Sequence, residues 1–142
     1  MSKAKSADLI LKLYDLRREE KMRKGRDWVF MFVPKSADDI LNTMMDPEVG
    51  PYLRMVASYW EMAAAMVNQE AIDAELFGET NGEHYIVFAK IEPFLADLRE
   101  KMQSPDAFKN LEKLIFSTPE NTARLRKTQE WLRSFGERAA AQ

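Results

Sequence analysis

An apolar stripe with the period of an α-helix runs through residues 52–77 and restricts the fold more than any other feature. At 100° per residue, one side of this segment is apolar and the other is polar or charged. The apolar side consists of Tyr52, Val56, Tyr59, Trp60, Ala63, Met66 and Val67. A helix of this kind is stable only when its apolar side is covered. The sequence therefore predicts a helical core built around residues 52–77.

A second stripe of the same period covers residues 82–102. Pro93 lies inside it, so we expect one kinked helix or two short ones. Gly78 is placed to end the first segment, and the short connection after it makes the two segments an antiparallel pair. No segment has the alternation and turn of a β-hairpin. We predict an all-α helical bundle of five to seven helices around this central pair, with residues 1–142 forming one domain.

Helix starts are marked by capping side chains. Ser36 with Asp39, and Thr80 with Glu83, have the spacing of a capping box, whereas Gly136 is placed to end the last helix. Three further pairs, each a capping residue followed by proline, predict helix starts. These pairs are Asp46-Pro47, Ser104-Pro105 and Thr118-Pro119.

Residues 17–33 consist of a charged half, which requires solvent, and an apolar half, which requires burial. From 17 to 27, nine of eleven residues are charged, and this stretch can bury almost nothing. Residues 28–33 are all apolar and would form a helix that is apolar on every side, so they must be buried or must contact a partner. Either they fold into the core of one chain, or two chains bury them in a shared interface. The candidate interface residues are Trp28, Phe30, Met31 and Phe32.

Charge is strongly partitioned along the chain, although the net charge is only −2. Residues 1–35 carry a net +5, residues 36–97 a net −10 and residues 98–142 a net +3. Two interpretations stay open. Basic flanking helices lie beside an acidic centre in one chain, or the polarised surface attracts an oppositely charged partner or a second copy. Nucleic-acid binding is not expected, because it usually needs a high pI and the pI here is near 5.6.

Residues 59–99 carry a resemblance to a known family. The residues concerned are Tyr59-Trp60-Glu61, Ala63, Val67, Ile72-Asp73, Leu76, Pro93 and Leu98-Arg99. With them the chain resembles bacterial helical domains that are grouped as a family of unknown function, over about residues 8–102. The resemblance implies an all-α fold. That family has no assigned activity, so the resemblance implies no catalytic residue.

His84 is the only histidine and the first candidate for proton chemistry, because the ordinary pKa of histidine lies near neutrality. Its position continues the apolar stripe of residues 82–102, which favours a packing role. Glu61, Asp73 and Glu83 are candidate carboxylates for acid–base chemistry. No phosphate-binding glycine loop, nucleophile motif or metal-ligand spacing is present, so we expect no catalytic residue, cofactor or metal.

Without a catalytic motif, the leading hypothesis is a non-enzymatic protein–protein interaction module, either a homodimer or the partner of a co-encoded protein. One alternative is a bundle that binds an apolar or amphipathic small molecule, since fifteen aromatic residues and nine methionines provide adaptable packing for a pocket. A further alternative is an enzyme that uses a carboxylate or His84.

The longest apolar run, residues 28–33, is far too short to span a bilayer, so no transmembrane helix is expected. Peripheral contact with a membrane through this run is disfavoured by the acidic residues that precede it. The N-terminus has no secretory signal and the chain has no cysteine, which favours the cytoplasm. We expect residues 1–5 and 137–142 to be disordered tails.

Overall fold

The computed structural model describes residues 2–141, and all regular secondary structure in this range is helical, which confirms the predicted all-α class. The helices are α1 Lys3–Leu16, α2 Glu20–Met31, α3 Ala37–Met45, α4 Gly50–Asn68, α5 Ala74–Thr80, α6 Glu83–Ile91, a 3₁₀ helix Glu92–Phe94, α7 Leu95–Met102, α8 Lys109–Ile115 and α9 Pro119–Ala141. Disorder of the tails stays a prediction. Residues 3–5 and 137–141 lie in helices, whereas Met1 and Gln142 are outside the described residues.

The described residues contain more helices than the five to seven predicted, in part because the single helix expected over residues 52–77 is wrong. Glu70 adopts a left-handed backbone conformation with φ 64°. Its amide donates to the carbonyl of Val67, and the amide of Ala71 donates to the carbonyl of Met66, both at 2.9 Å. These two bonds form a Schellman motif, which ends α4. The chain then starts again as α5.

Neither Gly78 nor Gly136 ends a helix, so both of these predictions are wrong. Gly78 lies inside α5 and Gly136 inside α9, and no glycine in the described range has a positive φ. The capping box predicted at Thr80 and Glu83 is also wrong. The Thr80 hydroxyl donates to the carbonyl of Leu76 at 2.8 Å, and α6 begins without a side-chain cap.

Two other predicted helix starts are confirmed. The Ser36 hydroxyl accepts a hydrogen bond from the amide of Asp39 at 3.0 Å and begins α3. The Thr118 hydroxyl accepts one from the amide of Asn121 at 3.1 Å, and α9 begins at the next residue, Pro119. In both cases a side-chain oxygen satisfies an amide that has no partner in the first turn.

The remaining two proline pairs open turns, so α4 and α8 begin later than predicted. The Asp46 carboxylate accepts hydrogen bonds from the amides of Glu48 and Val49, and α4 starts only at Gly50. After Ser104, the start of α8 is delayed because Phe108 has a φ of 61°, which is incompatible with an α-helix. Turn geometry therefore overrides the favourable position of proline.

The interruption predicted at Pro93 is confirmed, since a 3₁₀ helix separates α6 from α7 there. The predicted central antiparallel pair is wrong, because α4 packs mainly against α2 and α8. Gly25 makes the α2–α4 contact close: a Cβ atom at this position would lie 3.1 Å from the side chain of Met55 and 3.3 Å from that of Val56. A larger residue there would require the side chains of Met55 and Val56 to move by a few tenths of an ångström.

The buried core is continuous through most of the helices, and Trp60 in α4 is among its largest members at 1% exposure. Leu125 attaches α9 to this core and is fully buried. α9 packs mainly against α6. Contacts of Arg124 with Tyr85 and of Gln129 with the carbonyl of Ala89 follow the same order along both helices, so α9 and α6 run side by side in the same direction.

Glu70→Gly is expected to raise the free energy of unfolding by about 0.5–1 kcal/mol, because glycine adopts a positive φ without steric cost. Glu70 is exposed and makes no ion pair within residues 2–141, so little is lost. The matched control is Glu75→Gly in the first turn of α5, which is expected to lower stability by a similar amount. Urea denaturation measures both, and a Glu70→Gly variant no more stable than the wild type would contradict the assignment.

Candidate functional site

Glu83, one of the predicted polar candidates, is fully engaged in holding helices together. Its carboxylate accepts hydrogen bonds from the Nε of Arg26 at 2.9 and 3.1 Å, one to each oxygen. It also accepts one from the indole Nε1 of Trp60 at 2.8 Å. Glu83 therefore joins α2, α4 and α6 at one point, and its charge is balanced by a guanidinium.

His84, the next residue, lies in the core with 2% exposure. Its ring centroid is 5.7 Å from that of Trp60, 5.0 Å from that of Phe77 and 4.5 Å from that of Tyr85. Burial, with a smaller contribution from the positive charge of Arg124, lowers the pKa of His84 to about 3. The imidazole is thus neutral near pH 7, and within residues 2–141 its Nδ1 has no hydrogen-bond partner. These features agree with the packing role that the apolar stripe favours.

Glu61 binds the start of a neighbouring helix. Its two oxygens accept hydrogen bonds from the amides of Asn110 and Leu111, both at 2.9 Å, and from the Nδ2 of Asn110 at 3.0 Å. The amides in the first turn of a helix have no partner within that helix, and a carboxylate is favourable there. Glu61 therefore attaches α8 to α4.

Asp73 caps α5. Its carboxylate accepts a hydrogen bond from the amide of Leu76 at 2.9 Å and lies 3.8 Å from the ammonium of Lys3. Its own amide donates to the hydroxyl of Ser6 at 2.9 Å, which links α5 to α1. Like Glu61, it satisfies backbone groups at a helix terminus.

The four polar candidates are therefore not gathered into one site. Glu83 and His84 both contact Trp60, whereas Glu61 and Asp73 serve two other helix starts. Within the described range, no three His, Cys, Asp or Glu side chains come together in a way that could hold a metal ion.

Most of the ion pairs join the acidic middle of the chain to one of its basic flanks. Of six pairs in the described part of the chain, four are of this kind. They are Lys3–Asp73, Arg26–Glu83, Lys101–Asp38 and Arg126–Glu92. These contacts support the first interpretation of the charge partition, in which the opposite charges lie beside one another in one chain.

The apolar residues 28–33 are divided between the core and the surface. Val29 is buried at 2% exposure, and the rings of Trp28 and Phe32 stack 5.0 Å apart against the core. Met31 and Val33 are 63% and 67% exposed. The expected continuous helix over this run is wrong, because α2 ends at Met31 and the chain continues extended.

A groove of about 620 Å³ lies between this segment, α6 with the following 3₁₀ helix, and α9. Its lining consists of residues 30–34, Ala89, Lys90, Glu92, Pro93, Phe94, Arg126, Gln129, Leu132, Arg133, Phe135, Gly136 and Ala139. Three of the four predicted interface residues, Phe30, Met31 and Phe32, line the groove, whereas Trp28 does not. The ring of Phe30 lies 6.1 Å from that of Trp131 and 5.6 Å from that of Phe135.

Lys90 lines the groove, and its ammonium is bonded to backbone carbonyls. Its Nζ donates to the carbonyl of Phe30 at 3.1 Å and to that of Phe32 at 2.6 Å, so that it satisfies carbonyls at the end of α2. Burial lowers the pKa of this ammonium to about 8. Among the other charged lining residues, Glu92 pairs with Arg126, whereas Arg133 makes no ion pair within residues 2–141.

Sequence reasoning missed Lys90 and the wall formed by α9. Trp131, Leu132 and Phe135 have the spacing of one helix face, which indicates a helix that packs against something. That pattern does not reveal what the helix packs against. The parallel course of α6 and α9, which brings Lys90 to the same groove, depends on tertiary contacts that no local signal encodes.

The fold and the groove define an all-helical protein with an apolar cleft on its surface. The chain belongs to the family described as Domain of unknown function (DUF4760), whose model matches residues 3–118. This match confirms the predicted membership of a family without assigned function. No curated protein and no solved structure matches the chain. Within residues 2–141, no helix is both long and apolar enough to cross a membrane.

The free energy of unfolding is expected to fall by about 2 kcal/mol more in the wild type than in His84→Phe between about pH 7.5 and pH 5. The folded-state pKa of about 3 is below the ordinary 6.5, so the unfolded chain binds a proton first as the pH falls, and stability is lost through this window. Phenylalanine has no such titration and fills the same ring space. Urea denaturation at the two pH values measures the difference, and an equal loss in both proteins would show that His84 is not buried as a neutral ring.

Proposed function

We propose that this chain is a non-enzymatic binding protein and that the groove between α2, α6 and α9 takes an apolar or amphipathic small molecule. The observation that carries the proposal is the groove itself. Its volume of about 620 Å³ is within the range of small-molecule sites, about 300–1,000 Å³. Aromatic and aliphatic side chains provide most of its surface, with a few polar groups between them. This combination is typical of sites that bind largely apolar ligands.

The contacts of the candidate acid–base residues support binding rather than catalysis. Glu61 and Asp73 satisfy helix amides, and Glu83 joins three helices. His84 is covered by aromatic rings and does not line the groove. A general acid or base has to reach the atom that it protonates or deprotonates. None of these side chains lies among the residues that line the groove.

Gly136 provides a way to block the groove without disturbing the fold. It lies inside α9, lines the groove, and a Cβ atom there would meet nothing within 4 Å. In Gly136→Leu the side chain takes up space in the groove, and a helical glycine is replaced by a better helix former. We expect the fluorescent, uncharged probe N-phenyl-1-naphthylamine to bind the wild type saturably at one site. Its affinity should be at least about tenfold lower in Gly136→Leu.

The matched control is Gly78→Leu. Gly78 also lies inside a helix, α5, with nothing within 4 Å of its would-be Cβ, but it is not part of the groove. Its probe affinity should equal that of the wild type. Absence of saturable binding to the wild type, or equal binding to Gly136→Leu, would refute the proposed site.

Self-association is the second candidate function, and one observation favours it. Two apolar side chains that line the groove are strongly exposed, Met31 at 63% and Val33 at 67%, and Trp131, which lies next to Phe30, is 44% exposed. Exposed apolar groups of this size are favourable at the centre of an interface. In this form of the proposal the protein is a cytoplasmic homodimer that covers these side chains with a second copy.

The homodimer is tested by sedimentation equilibrium of the wild type against Met31→Ser, Val33→Ser. Both side chains are exposed, so the double variant should fold as the wild type does and should be monomeric where the wild type is dimeric. Substitution of Trp28 and Phe32 is less informative, because their stacked rings pack against the core. A wild type that stays monomeric at about 100 µM would refute the homodimer hypothesis and would not affect the small-molecule proposal.

A further inference from the structure

The charged groups of the groove are unbalanced. Lys90, Arg126 and Arg133 line it together with a single carboxylate, that of Glu92. Glu92 is already occupied, because it pairs with Arg126 and also accepts a hydrogen bond from the Nε2 of Gln129 at 2.9 Å. Within residues 2–141, neither Lys90 nor Arg133 has a carboxylate at ion-pair distance. An otherwise apolar cleft therefore presents two cations without a counter-charge.

The Lys90 ammonium also has a donor that a ligand can use. An ammonium has three N–H donors, and two of those on Lys90 go to the carbonyls of Phe30 and Phe32. Partial burial makes the solvation of this charge by water less complete, which is why the pKa of Lys90 is lowered to about 8. An anion placed next to it would accept a charge-assisted hydrogen bond from the third donor and would supply a counter-charge.

We propose that the groove selects amphipathic organic anions, an inference that rests on the proposed function. A carboxylate or sulfonate head group contacts Lys90 and Arg133, while the apolar body lies against Phe30, Phe94 and Phe135. A charge-assisted hydrogen bond in a site of low dielectric constant is stronger than the same bond in water. The cations thus select the head group, and the aromatic walls bind the body of the ligand.

Two fluorescent probes that differ by one anionic group test the selectivity. 1-Anilinonaphthalene-8-sulfonate has the ring system of the uncharged N-phenyl-1-naphthylamine with an added sulfonate. We expect Lys90→Met to lower the affinity for the sulfonate by about tenfold more than the affinity for the uncharged probe. Binding of the uncharged probe also reports that the groove is intact in the variant.

Two further variants separate the local effect from a general effect of charge. Arg133→Gln changes an exposed side chain that makes no ion pair in the described range, so it should fold normally and should weaken sulfonate binding about threefold. Lys113→Met removes the same charge as Lys90→Met from an exposed position on α8, outside the groove, and should change neither probe. An equal loss in Lys113→Met would show that net charge, not the groove, attracts the anion.

The pH profile gives an independent measurement. The affinity of the wild type for the sulfonate should fall as the pH rises through about 8 and the Lys90 ammonium loses its proton. The other charged groups that face the groove are Glu92 beside α6 and Arg126 and Arg133 on α9, whereas residues 30–34 contribute none. The Lys90 ammonium is the group whose loss of a proton near pH 8 produces the fall, so the fall should be absent in Lys90→Met.

Failure of this inference is distinguishable from failure of the proposed function. If the uncharged probe binds and Gly136→Leu blocks it, but Lys90→Met and Arg133→Gln leave the preference for the sulfonate unchanged, the groove is a binding site without anion selectivity. If neither probe binds the wild type, the proposed function and the inference fall together. A selective loss of sulfonate affinity in both variants, with Lys113→Met unchanged, supports the inference.

Discussion

The arrangement of the groove depends on the bonds that the Glu83 carboxylate makes at the start of α6. Arg26 of α2 and Trp60 of α4 both donate to it, so three helices are held at a single point. The negative charge is also favourable near the N-terminus of α6, where backbone amides lack partners. Further along the same two helices, Lys90 of α6 donates to the last carbonyls of α2. These hydrogen bonds connect α2 and α6 at two positions along their length. The residues that follow the end of α2 therefore lie beside α6.

The partition of charge along the sequence follows from this arrangement. Glu83 at the start of α6 and Glu92 just after its end face a basic α2 and a basic α9, and the pairs Arg26–Glu83 and Arg126–Glu92 join them. The side chains of Arg26 and Glu83 are 30% and 26% exposed, and those of Arg126 and Glu92 are 53% and 23% exposed, so solvent still screens each pair and its contribution to stability is modest. The pairs instead favour one alignment of the neighbouring helices, because a shift of one helix along the other would separate the carboxylate from its guanidinium. The excess of cations at the groove remains because Glu92 alone opposes three of them.

The sequence predicted the helical class, the buried Trp60, the interruption at Pro93 and the starts of α3 and α9. Each of these depends on local chemistry, such as a 3.6-residue period or a capping hydroxyl. It failed where a residue adopts a backbone conformation for which its residue type has a low preference. Glu70 ends α4 with a positive φ, whereas Gly78 and Gly136 remain helical. The sequence predicted the candidate site only in part. The apolar composition of residues 28–33 indicates a contact surface, whereas nothing in the sequence around Lys90 indicates that α2 and α9 pack beside it.

One wall of the groove belongs to a helix that the family model does not include. The match ends at residue 118, and α9 begins at Pro119. The wall formed by α2 and α6 lies within the shared domain, while Arg133, Phe135 and Gly136 come from the added helix. The shape and charge of the cleft can therefore change through substitutions in α9 without any change to the helices that the family model covers.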